Sequence, residues 1–165
     1  MRRPALEQMP APVSLADILT PERVRCNVDA TSKKKALEVL SELMASAPGM
    51  PDARVVADRL LAREKLGSTA LGHGVAIPHG RCSEIKNAVA AFVTLSDGVD
   101  FDGPDGTPVD LLVGLLVPER CTDSHLQLLA QLAELFSQPG IREQLRKPAA
   151  PDEIVDILSQ STHHL

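Results

Sequence analysis

The segment PVDLLVGLLVP, Pro108 to Pro118, constrains the fold of this chain more than any other stretch. It is nearly all apolar, without the alternation of apolar and polar residues that marks a strand with one solvated face. Such a run predicts a strand that is buried on both faces. The segment Ala88 to Leu95 before it predicts a second strand. The intervening SDGVDFDGPDGT is rich in turn residues and leaves room for a short edge strand at Val99 to Phe101.

Helical repeats surround these two segments. Apolar residues three and four positions apart predict a helix that ends near Ala47, with Asp29, Thr31 and Ser32 as candidate N-caps. A second helix is predicted from about Asp52 to Leu66, ended by Gly67. The other predicted elements are a short helix at Ser14–Ile18, a strand at Arg23–Val28, an inserted strand at Val75–Ile77, a helix from Asp123 or Ser124 to Ser137, and two short helices within residues 139–147 and 151–160.

The order of these elements indicates a single α/β domain with a mixed sheet flanked by helices. Helices and strands alternate, but without the strict βαβ repeat of a parallel sheet. The 165 residues are enough for one domain with a hydrophobic core. We expect a loose N-terminal tail over residues 1–13, the domain over residues 14–160, and a C-terminal tail over residues 161–165.

Charge and aromatic content argue against several classes of protein. The net charge of −5 disfavours nucleic-acid binding, which needs clustered basic residues, and the run Lys33 to Lys35 fits the solvated face of a helix. Tyr and Trp are absent, so platforms for stacking bases are scarce. No apolar run reaches membrane-spanning length, and the N-terminus lacks the apolar core of a secretory signal. The odd, scattered cysteines favour a reducing compartment, so we expect a cytoplasmic protein.

The sequence patterns of a phosphate-binding loop and of a zinc site fit the chain poorly. The run GVAIPHGRC resembles a phosphate-binding loop, but it is one residue too long, with Arg81 for Lys and Cys82 for Ser or Thr. The pairs His79 with Cys82 and Cys121 with His125 have spacings that zinc ligands use. Their separation matches no zinc-finger pattern, so a metal-binding module that uses these four residues is a remote alternative.

The segment VAIPHG holds a histidine in a restricted setting. Pro78 ends the inserted strand because proline has no N–H to donate to a ladder. His79 is thereby expected at a strand end, and Gly80 leaves room for another backbone to come close. This setting suits an imidazole that is offered to a partner. Histidine is a plausible nucleophile there because its neutral form is populated near pH 7.

His125 and Arg63 border the apolar faces of their predicted helices. His125 lies near a helix N-terminus, where the dipole favours a neutral imidazole and a nearby anion. Arg63 lies near a helix C-terminus, where a cation complements the dipole. Taken singly, a half-buried histidine and a cation that complements the helix dipole explain these residues better than a functional role does. His73, in a glycine turn, is expected to be exposed.

The run Glu64, six residues, then LGHGVAIPHG resembles the active-site signature of phosphotransferase-system (PTS) IIA proteins of the fructose/mannitol/nitrogen class, the type-2 EIIA family. The stretches REKLGST, PVDLLVGLLVP and SHLQLLAQLAELF are also similar to that family. The resemblance covers roughly Ser14 to Gln160 and implies the mannitol-IIA-like fold.

The resemblance implies a set of roles. His79 would accept a phosphoryl group from the phosphohistidine of the carrier protein HPr or its nitrogen-branch paralogue. His125 would stabilise the phosphoryl group or the imidazole, and Arg63 would contact the phosphoryl group. Supporting residues would be Ser68, Thr69 and Gly80. The family needs no metal or nucleotide, so no cofactor is implied. His73 departs from the family, where a small polar residue such as Asn is common, and would add a titratable group near the site.

The segment STALGHGVAIPHGR, in a chain without an accompanying IIB or transporter segment, resembles the nitrogen-regulatory members of the family. Such proteins signal through their phosphorylation state by binding other proteins. The implied partners are an HPr-type carrier and downstream regulatory targets, without nucleic acid or stable membrane insertion. The alternative within the family is a sugar-specific IIA component that passes its phosphate to a IIB protein.

Overall fold

The structure is a computed structural model that describes residues 14–120, 123–147 and 150–163. The strands within these ranges are β1 (Val24–Val28), β2 (Ala70–Gly72), β3 (Val75–Ala76), β4 (His79–Cys82), β5 (Val89–Val99) and β6 (Val109–Pro118). The helices are α1 (Leu15–Ile18), α2 (Lys33–Ala45), α3 (Ala53–Leu66), α4 (Asp123–Phe136), α5 (Pro139–Arg146) and α6 (Pro151–His163), with a 3₁₀ turn at Pro21–Arg23. None of these helices is both long enough and apolar enough to span a lipid bilayer.

The apolar strand β6 lies inside one mixed sheet, as its sequence predicts. The strand order is β1–β5–β6–β3–β2, and β4 also pairs with β6. On one side β5 runs antiparallel to β6. On the other side β3 and β4 run parallel to it, with Val75 opposite Leu111 and His79 opposite Leu115.

Helices cover both faces of this sheet, which explains why β6 is apolar throughout. Leu112 contributes to a core with Leu40 of α2 and Leu60 of α3. Its neighbour Leu111 belongs to the opposite core, with Leu128 of α4 and contributions from α1, α5 and α6. Successive strand residues point to opposite faces, so an uninterrupted apolar run serves two cores at once. The predicted α/β domain with a mixed sheet is confirmed.

The helix boundaries follow the predicted capping signals. The Ser32 hydroxyl accepts the Lys35 N–H at 3.1 Å and begins α2. Asp52 caps α3 in the same way through the Arg54 N–H, at 2.8 Å, and Gly67 follows its last residue. Each side chain satisfies a backbone donor that the first helical turn leaves without a partner.

The edge strand expected at Val99 to Phe101 is wrong. Val99 is the last residue of β5 and lies opposite Val109, after a register shift that follows Thr94. Phe101 lies in the loop after β5 and is fully buried. Asp97 and Gly98 are typical turn residues, so the sequence predicted that the strand ends before them. The irregular pairing accommodates both residues within β5.

Two short strands, β2 and β4, were not predicted, whereas the inserted strand expected at Val75–Ile77 is present as β3, Val75–Ala76. β2 and β3 form a hairpin through His73 and Gly74, whose φ values of 57° and 79° are those that a type I′ turn requires. Beyond Pro78 the chain pairs with β6 again as β4, so His79 begins a strand rather than ending one. The Pro78 carbonyl still accepts the Leu115 N–H at 2.9 Å, although proline cannot donate in return.

Some sequence-based expectations concern parts of the chain beyond this description. The N-terminal tail over residues 1–13 lies outside the described residues, and so does Cys121. The helix α6 extends to His163, into the range that was expected to be a C-terminal tail.

Candidate functional site

His79, His125 and Arg63 line one pocket of about 440 Å³ at the edge of the sheet. His79 is the first residue of β4, Arg63 lies in the last turn of α3, and His125 lies in the first turn of α4. The apolar part of the wall includes Leu115 and Leu129. The fold therefore brings together the three residues that the sequence placed on three separate elements.

The imidazole of His79 has a defined orientation. Its Nδ1 lies 2.8 Å from the carbonyl oxygen of Ile77. A carbonyl can only accept a hydrogen bond, so Nδ1 carries the proton of the neutral ring and Nε2 keeps its lone pair. Burial lowers the pKa of His79 below its ordinary value, and the charge of Arg63 lowers it further against the opposing effects of the Ile77 bond and Glu64. The neutral, nucleophilic form is thereby favoured near pH 7.

His125 is a second buried imidazole in the same pocket. Its residue is 9% exposed, and burial lowers its pKa below the ordinary value for histidine. The first turn of α4 also carries the positive end of the helix dipole, which disfavours an added proton. The pocket thus holds two imidazoles that both favour the neutral state.

Arg63 supplies positive charge to the pocket. Its Nη1 donates to the Gly67 carbonyl at 2.9 Å, which holds the guanidinium at the C-terminal end of α3. A guanidinium has five N–H donors, so this bond is compatible with a further contact to an anion. Arg59, four residues earlier on the same helix face, also lines the pocket and pairs with Glu84 at 2.9 Å.

Ser68 and Thr69 lie beside a smaller pocket of about 220 Å³ that His79 also lines. Both hydroxyls make internal hydrogen bonds. The Ser68 hydroxyl donates to the Phe101 carbonyl, and the Thr69 hydroxyl donates to the carboxylate of Glu64. These bonds hold the turn after α3, and the supporting role of the two residues stays a prediction.

Gly80 does leave room for a close backbone, but that backbone belongs to this protein. A Cβ added at Gly80 would lie 3.1 Å from the carbonyl oxygen of Arg59 in α3. The bare glycine therefore allows α3 to pack tightly against β4, which sets the position of Arg63 relative to His79. The expected approach of a partner's backbone at this residue is replaced by an internal contact.

Glu64 is a residue of this region to which sequence reasoning gave no role. Its side chain is 4% exposed, and its Oε1 lies 2.8 Å from Nζ of Lys33. A signal for its burial was present, because Glu64 follows Leu60 by four residues and Val56 by eight on the apolar face of α3. An acidic residue on such a face indicates a buried partner.

Exposed leucines surround the site, and sequence reasoning did not single them out. Among the described residues, the exposed large apolar side chains are Leu66 at 85%, Leu126 at 52% and Leu71 at 40%. Leu66 and Leu126 line the larger pocket, and Leu71 lines the smaller one. Periodicity assigns such residues to helix faces but cannot show that separate elements expose them around one histidine.

His73 lies away from this pocket, contrary to the expectation that it adds a titratable group near the site. It is exposed, and it lines a different pocket with Asp110 and Arg146. Asp110 lies five residues before Leu115 along β6, which corresponds to about 17 Å of strand. The His73 backbone N–H donates to Asp105 Oδ2 at 2.8 Å, and this bond and the one from the Thr107 N–H lower the pKa of Asp105 to about 2.

The metal-binding alternative loses support from the placement of Cys82. This residue is three positions after His79 on β4, so its side chain points to the opposite face, into the core beneath α3. Within residues 14–120, 123–147 and 150–163, no group of three or more His, Cys, Asp or Glu side chains could hold a metal ion.

Comparisons with known proteins agree with this architecture. Residues 17–161 match the family described as the phosphoenolpyruvate-dependent sugar phosphotransferase system, EIIA 2. The nitrogen regulatory protein of Pseudomonas aeruginosa is 43% identical over 146 residues, which cover 88% of this chain and 95% of the relative. The nitrogen regulatory protein of Escherichia coli K12 is 40% identical over 150 residues, covering 90% of this chain and 91% of the relative.

Solved structures give the same result. The crystal structure of nitrogen regulatory protein IIA-Ntr from Neisseria meningitidis has a TM-score of 0.83 and 42% identity, covering 87% of this chain and 98% of that one. IIA mannitol from Escherichia coli, at 23% identity and a TM-score of 0.71, shares the fold over 84% of this chain and 97% of its own. The chain therefore belongs to the type-2 EIIA family of the phosphoenolpyruvate-dependent sugar phosphotransferase system, among its nitrogen regulatory members.

Proposed function

We propose that this chain is a phosphoryl-accepting regulatory protein of the nitrogen-type phosphotransferase system. His79 accepts the phosphoryl group from the phosphohistidine of HPr or its nitrogen-branch paralogue, and the phosphorylation state controls binding to other proteins in the cytoplasm. The observation that carries this proposal is the hydrogen bond from His79 Nδ1 to the Ile77 carbonyl, at 2.8 Å. It leaves Nε2 as the nucleophilic atom in a pocket that His125 and Arg63 also line.

The transfer exchanges one phosphorus–nitrogen bond for another. The lone pair of His79 Nε2 attacks phosphorus, and the imidazole of the donor leaves with the electron pair of the broken bond. The His79 ring becomes positively charged as Nε2 bonds to phosphorus, and the Ile77 carbonyl, an acceptor for Nδ1–H, stabilises that charge. Phosphoryl transfer depends mainly on positioning and on stabilisation of the oxygens. The guanidinium of Arg63 and the N-terminal turn of α4, which carries His125, supply these effects.

The surface around the pocket fits a protein donor. Leu66 projects from the end of α3 and Leu126 from the first turn of α4, so both flank the entrance to His79. Exposed apolar side chains that cluster in this way are typical of protein–protein contact sites. Arg59 and Arg81 line the same pocket and add positive charge. We infer that the carrier contacts this surface with apolar residues around its own phosphohistidine.

Phosphorylation by a reconstituted relay tests the proposal. Incubation with phosphoenolpyruvate, enzyme I and HPr or its paralogue should add one acid-labile phosphate to the chain, and His79→Ala should abolish the addition. His73→Ala is the matched control, because His73 is exposed beside a different pocket and should leave uptake unchanged. Uptake by His79→Ala at the wild-type rate would contradict the assignment.

The sugar-specific alternative is supported by the shared fold of IIA mannitol, which is described in a complex with phosphorylated IIB mannitol. We expect the phosphorylated chain to transfer little phosphate to fructose-class or mannitol-class IIB proteins. Rapid transfer to one of them, together with sugar-permease genes beside the gene for this chain, would favour the alternative. Stoichiometric zinc in protein purified without added zinc would favour the metal-binding alternative instead.

A further inference from the structure

Burial lowers the pKa of His79, and the negative charge of the buried Glu64 carboxylate acts in the opposite direction with a smaller effect. Glu64 lies at the C-terminal end of α3, with a side chain that is 4% exposed. Its charge is balanced by Lys33, whose Nζ lies 2.8 Å from Oε1 and 4.9 Å from the ring centroid of Phe101. An ionised carboxylate is costly to bury unless a counter-charge and hydrogen bonds compensate it. The proposed chemistry of His79 does not by itself explain this arrangement.

A continuous path of contacts leads from this carboxylate to the imidazole. Glu64 accepts the Thr69 N–H at 3.3 Å and also accepts the Thr69 hydroxyl. The Thr69 carbonyl accepts the Ile77 N–H at 3.1 Å. The Ile77 carbonyl accepts Nδ1–H of His79 at 2.8 Å. The position of the Ile77 carbonyl therefore depends on Thr69, and Thr69 is held by the carboxylate.

The same turn also receives Arg63. The Gly67 N–H donates to the Glu64 carbonyl at 3.1 Å, and the Gly67 carbonyl accepts Nη1 of Arg63 at 2.9 Å. Anchoring the turn at Thr69 thus restricts the guanidinium as well as the imidazole. One buried side chain contributes to the orientation of two groups in the pocket.

We propose that Glu64 is a positioning residue that, through Thr69 and the Ile77 carbonyl, keeps the proton of neutral His79 on Nδ1. This inference rests on the proposed function, because it assigns a residue that supports the same phosphoryl transfer. Without a fixed acceptor, imidazole prefers the tautomer protonated at Nε2, which has no lone pair at the attacking atom. In histidine-dependent enzymes the wrong tautomer lowers the rate severely even when the geometry is kept.

Nitrogen NMR of the labelled, full-length chain tests this directly, because the ring shifts distinguish the two tautomers. Above neutral pH the wild-type protein should show His79 protonated at Nδ1. In Glu64→Ala the population should move toward the Nε2-protonated form. The rate of phosphoryl acceptance from phosphorylated HPr should fall by about tenfold or more, the order of loss typical when hydrogen-bond partners that orient a metal-binding histidine are removed. Thr69→Val, which replaces the hydroxyl by a methyl group and keeps the backbone N–H, should change both quantities less and in the same direction.

Two further variants separate positioning from folding. Lys33→Met/Glu64→Gln removes both charges but keeps an acceptor for the Thr69 N–H, so it should retain the Nδ1–H tautomer and a rate close to that of the wild type. Lys34→Met is the matched control, because Lys34 is the exposed neighbour of Lys33 and should change neither quantity. If Glu64→Ala does not fold, Thr69→Val and the double variant carry the comparison.

The tautomer decides the outcome. Glu64→Ala protein that keeps His79 protonated at Nδ1 would overturn the proposal, whatever its rate, because slow transfer would then have another structural cause. Loss of the tautomer in the double variant would overturn it too, since the hydrogen bond to Thr69 is retained there. If the tautomer follows Glu64 but the wild-type chain accepts no phosphate from any carrier, the proposed function fails and the connection from Glu64 to His79 stands.

Discussion

Replacing Gly80 by alanine would place a methyl group 3.1 Å from the carbonyl oxygen of Arg59 in α3, whereas ordinary contacts begin at 3.4 Å. The backbone of Gly80 is not in the left-handed region, so alanine adds no torsional strain. Overpacking of this kind costs about 1–3 kcal/mol, burial of the methyl group returns about 0.8 kcal/mol, and the lower entropy of the unfolded chain returns about 0.4–1 kcal/mol. The expected loss in the free energy of unfolding is therefore about 0.5 kcal/mol, measured by urea denaturation.

The same substitution should affect phosphoryl transfer. Relief of the contact moves α3, and with it Arg63, by about 0.3 Å away from β4. A misplacement of about 1 Å costs on the order of a hundredfold in rate. If the increase in the activation barrier is proportional to the displacement, about 0.3 Å makes single-turnover transfer from phosphorylated HPr about fourfold slower.

A second glycine provides the control for this prediction. A Cβ added at Gly140, within α5, would meet nothing within 4 Å. Gly140→Ala should therefore stabilise the protein by about 0.4–1 kcal/mol and leave transfer unchanged. If Gly80→Ala matches the wild type in both unfolding free energy and transfer rate, the tight contact between α3 and β4 does not position the site.

Other substitutions and conditions give distinct outcomes. Burial lowers the pKa values of His79 and His125, so the unfolded chain binds protons first as the pH falls. The free energy of unfolding should therefore be at its full value above about pH 6.5 and decline below it. His79→Gln should reduce that decline, measured by urea titrations at several pH values. Leu66→Asp should slow transfer from the carrier at least about tenfold. It should change the free energy of unfolding by less than about 0.5 kcal/mol, because Leu66 is 85% exposed. Lys65→Asp is the control at an exposed site, and an equal loss of rate in this variant would contradict a specific contact at Leu66. Arg146→Ala should cost about 0.5–1 kcal/mol by removing the contacts to Asp110 and the His73 carbonyl, with no effect on transfer, and slowed transfer would show that the two ends of the sheet are coupled.

The layers of the fold were predictable because burial imposes either a helical repeat or an uninterrupted apolar run on the sequence. An apolar run such as β6 has few alternatives to a position between two helical layers, and Ser32 and Asp52 mark helix starts through local hydrogen bonds. The hairpin strand β2 and the strand β4 were not predictable in this way. β2 has three residues and pairs with β3 across a turn. β4 has four residues, follows a proline and pairs with β6, which is distant in the sequence.

The candidate site, like the fold, was predictable only where the local sequence or the family resemblance restricts a residue. The local sequence restricted His79 through Pro78, and the wider resemblance to the family selected His125 and Arg63. Taken alone, a half-buried histidine and a cation at a helix C-terminus were sufficient explanations for these two residues. The contact between Gly80 and Arg59 and the buried pair of Glu64 with Lys33 are tertiary. No spacing in the sequence indicates that the backbone of α3 fills the space beside Gly80. Nor does any spacing indicate that Lys33 of α2 pairs with Glu64 of α3.

The acceptor for Nδ1 of His79 is a main-chain oxygen, and this has an evolutionary consequence. A side-chain acceptor can be lost by one nucleotide change, whereas the Ile77 carbonyl persists through any substitution at that residue that preserves the backbone path. The surface leucines and arginines around the pocket can therefore vary without removing the ring's own hydrogen bond. A protein built in this way can acquire new partners by changing its surface while its reactive atom stays the same.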